Sequence, residues 1–355
     1  MRIQNENQQN TQVELKPGTA TQVPQQPTAQ QPSAPARTGA LADYERSCKK
    51  KTDHWFVASL IAFLLIVVGS GIVVVLYQGF GIDIDATDMQ KAAAEAGISP
   101  AAYEFWKYST FIGIWILTFI WMAVRREDRP LFRFMRPDKK GNRFRWIPVG
   151  ILAGFDANGF CILMTVVSRN VELEYTEPSV GWMLLLFLAV VIQSGAEELI
   201  CRGYLFQKLR RRYRSPWVAI ILTMLMFAGF HLGNDGLSFW AILNLLEVGL
   251  LLALVVNYFN SFWWVVFFHT AWNYTQNILF GLRNSGQDAV YSMFRQKTQG
   301  TNGFFFDTGF GVEGSPGAVL ILGLMILGIL IFVKRKKLRP VDLWEKEDRD
   351  EGRIG

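Results

Sequence analysis

GWMLLLFLAVVIQSGAEELICRGYLFQKLRRRYRS, residues 181–215, decides how the rest of the chain is read. It opens as an apolar run suited to a bilayer and closes on Arg210, Arg211, Arg212 and Arg214. Between them, Glu197, Glu198 and Arg202 stand among Leu, Val, Ile and Phe. A charge at the centre of a membrane helix costs roughly 2.5–3.5 kcal/mol on insertion scales, so such groups need partners and mark function by default. Glu198 and Arg202 are four apart, acid first, the spacing that sets an ion pair on one helix face. Glu197 projects about 100° away. Arg202 is therefore expected to neutralise Glu198 and to leave the Glu197 carboxylate free for chemistry. The alternative at this point is a structural ion pair packed against a neighbouring helix.

Composition agrees with a membrane protein. Half of the 355 residues are hydrophobic, with twelve Trp and twenty-seven Phe, the aromatics that membrane interfaces and lipid faces favour. The net charge of +6 is carried in short basic blocks between apolar runs, which is orientation signal rather than a nucleic-acid footprint. Cys48, Cys161 and Cys201 are too few and too scattered for a disulfide framework or a cysteine-rich metal site. Residues 1–45 are Gln-, Thr- and Pro-rich and are expected to form a disordered cytoplasmic tail, with no apolar stretch of a signal peptide. Residues 46–338 are expected to form the transmembrane domain, with its core motifs in 180–280. Residues 339–355 are expected to form a charged cytoplasmic tail.

Apolar runs place spans at about 55–77, 108–124, 146–167, from 181, then 217–232, 239–258, 262–280 and 318–333. Each is near the ~20 residues that cross a bilayer. The fold class is thus all-α, a polytopic membrane bundle of about eight transmembrane helices. The basic connections before span one and after spans two, four and eight all fall on one side. The positive-inside rule makes that side the cytoplasm, with both termini there and the loop 287–311 outside; the expected location is the plasma membrane. The loop 257–261 is charge-free and carries no orientation signal.

Late spans carry further polar groups. His231 follows Phe227 by four at the end of span five, and Asn273 follows His269 by four in span seven. Asn244 and Glu247 in span six are compatible with an ion path but are read as one more interhelical contact. Counted from Arg210 and Trp217, Glu197 and His231 both lie ~20 Å deep, whereas His269 lies only ~12 Å past Ser261. Either span seven begins deeper, or helices four and five tilt. A carboxylate and a neutral imidazole flanking a water make a general-base pair. A second imidazole with an Asn amide supplies donors for an oxyanion, worth about 3–4 kcal/mol per well-placed donor. Together they describe peptide hydrolysis inside the membrane.

Glu197-Glu198-x-x-x-Arg202, Phe227-x-x-x-His231 and His269-x-x-x-Asn273, in this order, resemble the CPBP family over about residues 180–280. That family includes type II CAAX prenyl endopeptidases and bacteriocin-immunity proteins. The resemblance implies an intramembrane endopeptidase acting on a membrane-associated or CAAX-like protein or peptide, with the bilayer as its other partner and no nucleic acid. It implies Glu197 and His231 as water activators, His269 and Asn273 as the oxyanion hole, and Glu198 and Arg202 as their support, with no cofactor. The competing readings are a zinc protease using Glu197, His231 and His269, and a non-catalytic immunity or scaffold protein. A protease built on Cys201 or on the isolated Ser194 is disfavoured, since neither has the partners such a nucleophile needs.

Overall fold

On the first long helix, α1 (Trp55–Gly79), the buried residues are Ala58, Ala62, Leu65, Gly69 and Val73, three or four positions apart. Phe63, Val67, Ile72 and Val75 lie on its outer surface and are exposed. An apolar face of that extent is not tolerated on a water-soluble monomer, but it is the natural solvent-facing side of a helix in lipid. The computed structural model describes residues 50–84, 86–137, 141–342 and 344. The expected tail 1–45, Cys48 and most of 339–355 lie outside the described residues.

Along the described chain, α2 (Met89–Glu95) and α3 (Pro100–Ser109) lead into α4 (Ile112–Val124), and α5 is Ile147–Val167. Strand β1 (Leu173–Tyr175) precedes α6 (Val180–Glu198), which runs through a π-helical segment, Leu199–Leu205, into α7 (Phe206–Arg212). Then come α8 (Pro216–Phe230), α9 (Phe239–Phe259) and α10 (Phe262–Asn273), the last continued by a π-helical Tyr274–Leu279. Strand β2 (Phe294–Gln296) and α11 (Pro316–Lys336) complete the order. The protein is an all-α membrane bundle. Among the described residues, six helical stretches are long and apolar enough to cross a membrane; α8, of 15 residues, is shorter. The second stretch starts at Pro100, earlier than its hydropathy suggests, because α3 and α4 run on with only a short break at Thr110 and Phe111.

At the basic end of the bundle, four buried charges tie three segments together. Lys208 Nζ lies 2.9 Å from Asp128 Oδ1 and 3.2 Å from Asp53 Oδ1. Arg211 Nη2 donates to Asp53 Oδ1 at 2.6 Å and to Asp128 Oδ1 at 3.0 Å. The opposite end is closed by loops and by β1 paired antiparallel with β2, Leu173 opposite Gln296.

Two features position α10, which carries His269 and Asn273. Gly150 and Gly154, one turn apart on α5, let that helix press against it. A Cβ on Gly154 would fall 2.3 Å from the Phe268 carbonyl oxygen, so only glycine permits this approach. Four residues on, Asn158 Nδ2 donates to Gln276 Oε1 at 2.7 Å. The turn from α9 into α10 is buried beneath the connection that follows α4. There Trp263 N donates to Asn142 Oδ1 at 3.2 Å, and Trp263 Nε1 to the Met135 carbonyl at 3.0 Å. This layer lifts the start of α10 from the surface and reconciles the depth of His269 with that of Glu197. It is also why the 257–261 turn needs no charge.

Candidate active site

Glu197 and Glu198 end the α-helical part of α6, and the π-helical segment that carries Arg202 begins at the next residue. A second π-helical segment begins directly after Asn273. Such segments recur at functional sites, where the extra residue per turn re-aims side chains.

Arg202 and Glu198 are fully buried. Arg202 Nη1 donates to Glu198 Oε1 at 3.0 Å, and Nη2 to the Gly249 carbonyl of α9 at 3.0 Å. Its guanidinium lies 5.0 Å from the centre of the Phe227 ring. The same Glu198 oxygen meets His269 Nδ1 at 3.0 Å. Nε2 of His269 is turned to Glu197, 3.8 Å from Oε2. The other Glu197 oxygen accepts from Gln193 Nε2 at 2.5 Å, and Gln193 Oε1 accepts from Asn273 Nδ2 at 3.1 Å. Five of the six expected site residues thus fall into two hydrogen-bonded groups, Glu198 with Arg202 and His269, and Glu197 with Asn273 through Gln193, which meet at the 3.8 Å contact between His269 and Glu197.

His231 joins them through packing. Its Nδ1 lies 2.8 Å from the Phe227 carbonyl, which can only accept, so Nδ1 carries the hydrogen and Nε2 of the neutral ring keeps its lone pair. The Phe227 ring stands 5.0 Å from His231 and 5.7 Å from His269, centre to centre. His231, His269 and Asn273 share the wall of one cavity with Asn244, Phe227 and Glu313. Its volume of about 10 Å³ is on the order of one water. Among the described residues no hydrogen bond links His231 to Glu197. Glu197 reaches the wall through His269 and, by way of Gln193, through Asn273.

The zinc set expected as an alternative is not assembled. Among the described residues no three of His, Cys, Asp and Glu are grouped to hold a metal. Zinc–ligand bonds are about 2.0–2.2 Å, whereas Nε2 of His269 and Oε2 of Glu197 stand 3.8 Å apart and no hydrogen bond joins His231 to Glu197 among the described residues. Cys201 is buried.

Several residues of the site are absent from the sequence reading. Gln193 precedes Glu197 by four, the signal that would have found it. Glu313 is buried on the loop before α11 and accepts from Trp272 Nε1 at 2.8 Å, Asn284 Nδ2 at 3.2 Å and Ser285 N at 2.6 Å. Asn284 Nδ2 also reaches Asn273 Oδ1 at 3.4 Å. The side chain of Asn244, expected as an interhelical contact, makes no hydrogen bond among the described residues.

Fold and site together define a polytopic helical membrane protein with an acid–imidazole–amide cluster sealed between its helices. Residues 179–275 match the family model described as type II CAAX prenyl endopeptidase Rce1-like. The matched range holds Glu197, Glu198, Arg202, His231, His269 and Asn273. No curated protein matches the chain.

Proposed function

We propose that the protein is an intramembrane endopeptidase that hydrolyses a peptide bond of a membrane-associated, CAAX-like protein. The observation that carries this reading is that two imidazoles and Asn273, all within the matched segment, share the wall of one water-sized cavity, with the Glu197 carboxylate 3.8 Å from Nε2 of His269. Glu197 and His231 activate the water: the carboxylate accepts a proton, and His231 offers the Nε2 lone pair that its bond to Phe227 leaves free. The proton then passes to the leaving amine. Asn273 keeps one N–H after its bond to Gln193 and turns it to the oxyanion. His269, held at Nδ1 by Glu198, donates from Nε2 as the imidazolium. Arg202 and Glu198 fix that ring. The reading uses no metal.

Both termini are assigned to the cytoplasm from the basic connections, and the chain is assigned to the plasma membrane. The cavity then lies toward the far end of the bundle, since His231 closes α8 and the Glu313 loop contributes to the wall. Substrate reaches it from the bilayer or from that face.

The test uses purified protein in liposomes with a quenched fluorescent farnesylated CAAX peptide, alongside membranes of cells expressing wild type or Glu197→Gln. Wild type is expected to cleave the peptide, and Glu197→Gln membranes to accumulate an uncut membrane protein. Wild type indistinguishable from Glu197→Gln in both assays overturns the reading.

A further inference from the structure

Among the polar groups on the cavity wall, all but one already have partners within the protein. His231 donates to Phe227, His269 to Glu198 and Asn273 to Gln193, while Glu313 receives Trp272, Asn284 and Ser285. Ser285 commits its hydroxyl to Glu313 as well. Asn244 differs. It is fully buried on α9, and neither Oδ1 nor Nδ2 has a hydrogen-bond partner among the described residues. Buried amides without partners are rare in folded proteins because water satisfies them fully in the unfolded chain. Asn257, equally buried and unpartnered on the same helix, is not part of this wall. The missing partner of Asn244 is therefore the occupant of the cavity.

The chemistry of the wall says what that partner is. A tetrahedral oxyanion needs N–H or O–H donors aimed at it. His269 already serves as a donor through Nε2, whereas the His231 ring, held at Nδ1 by the Phe227 carbonyl, presents a lone pair at its own Nε2. Trp272 Nε1 and the Ser285 hydroxyl are spent on Glu313. The uncommitted amide hydrogens are one on Asn273 and two on Asn244. We infer that Asn244 is a further catalytic residue, whose Nδ2 donates to the carbonyl oxygen of the scissile bond as negative charge builds there. This rests on the endopeptidase reading above and extends it to a residue outside its three motifs.

Asn244→Leu keeps the volume and removes the amide, and Asn244→Asp keeps the shape but replaces donors with an acceptor. Each is compared with wild type and Glu197→Gln for kcat and KM on the farnesylated CAAX peptide, and for thermal unfolding in detergent. For both variants kcat is expected to fall about 10²-fold or more, as for loss of an oxyanion donor, with KM unchanged. Asn244→Leu is expected to keep or raise the unfolding temperature, because no internal bond is lost and an unpaired amide leaves the core. A structural interhelical amide gives the reverse: a lowered unfolding temperature with wild-type kcat in the folded fraction. That result, or wild-type kcat in Asn244→Leu beside an inactive Glu197→Gln, overturns the assignment and leaves the endopeptidase reading standing. Wild type no faster than Glu197→Gln overturns both.

Discussion

His269 Nδ1 and Glu198 Oε1 stand 3.0 Å apart, and that carboxylate oxygen is the one that also receives Arg202 Nη1. Glu198 is therefore more than a counter-ion for the arginine. It holds the ring on α10 from α6, fixes which nitrogen faces the cavity, and is itself fixed by Arg202, which is anchored to α9 through the Gly249 carbonyl. Three helices are registered by one buried carboxylate.

The two roles of Glu198 separate by mutation. Glu198→Gln leaves Arg202 charged and unpaired in the core, a loss of roughly 3–5 kcal/mol for a buried pair broken from one side. Glu198→Gln with Arg202→Met removes both charges and should recover much of the unfolding temperature. Activity should stay low in the double variant, because His269 has still lost its carboxylate. Activity returning with stability would show that Glu198 serves Arg202 alone.

Glu197→Gln keeps the side chain's size and removes the proton acceptor. General-base catalysis contributes about 10²–10⁴-fold, so peptide cleavage should drop by at least that lower factor while the protein stays folded and inserted. An active Glu197→Gln beside a stable, inactive Glu198→Gln would exchange the roles of the two acids.

The helical spans are legible in the sequence because lipid permits few alternatives: an apolar run of ~20 residues must satisfy its backbone internally. The Glu198–Arg202 pair is legible for the same local reason, an i, i+4 spacing on one helix. What decides the site beyond that is long-range. Glu198 and His269 are 71 positions apart, and Asn142, which sets the depth of α10, is 121 from Trp263. No local pattern announces either contact. The Gly150–Gly154 spacing that lets α5 press against α10 is a visible signal, but α5 carries no titratable motif to draw attention to it. Gln193 and Asn244 are ordinary amides in apolar helices, and only packing shows that one is bonded into the network and the other is not.

Topology is testable at two exposed positions. In a Cys48→Ser background, where Cys161 and Cys201 are buried, Thr298→Cys on the loop after β2 should react with an impermeant maleimide in intact cells. Arg339→Cys, beyond α11, should react only after lysis. Both residues are exposed in the folded chain. The reverse pattern would invert the bundle and turn the cavity toward the cytoplasm.

The buried charge cluster at the basic end predicts a pH dependence of stability. Burial alone would raise the Asp128 carboxyl, but the charge and hydrogen bond of Lys208, then Arg211, outweigh it and hold Asp128 below the usual carboxylate range. A group whose folded value is depressed stabilises fully above its unfolded value, about 3.9 for Asp, and loses that contribution as pH falls through the lower folded value. The unfolding temperature in detergent should therefore be insensitive to this group from pH 7 down to about 5, and should decline below about 4. Asp128→Asn should remove that part of the acid slope and lower the unfolding temperature at pH 7, because Lys208 and Arg211 then share Asp53 alone. Peptide cleavage by the folded fraction should stay near wild type, since Asp128 sits on the connection after α4, apart from the His269 network. An Asp128→Asn protein as stable as wild type at pH 7 would show that the cluster does not hold this end of the bundle together.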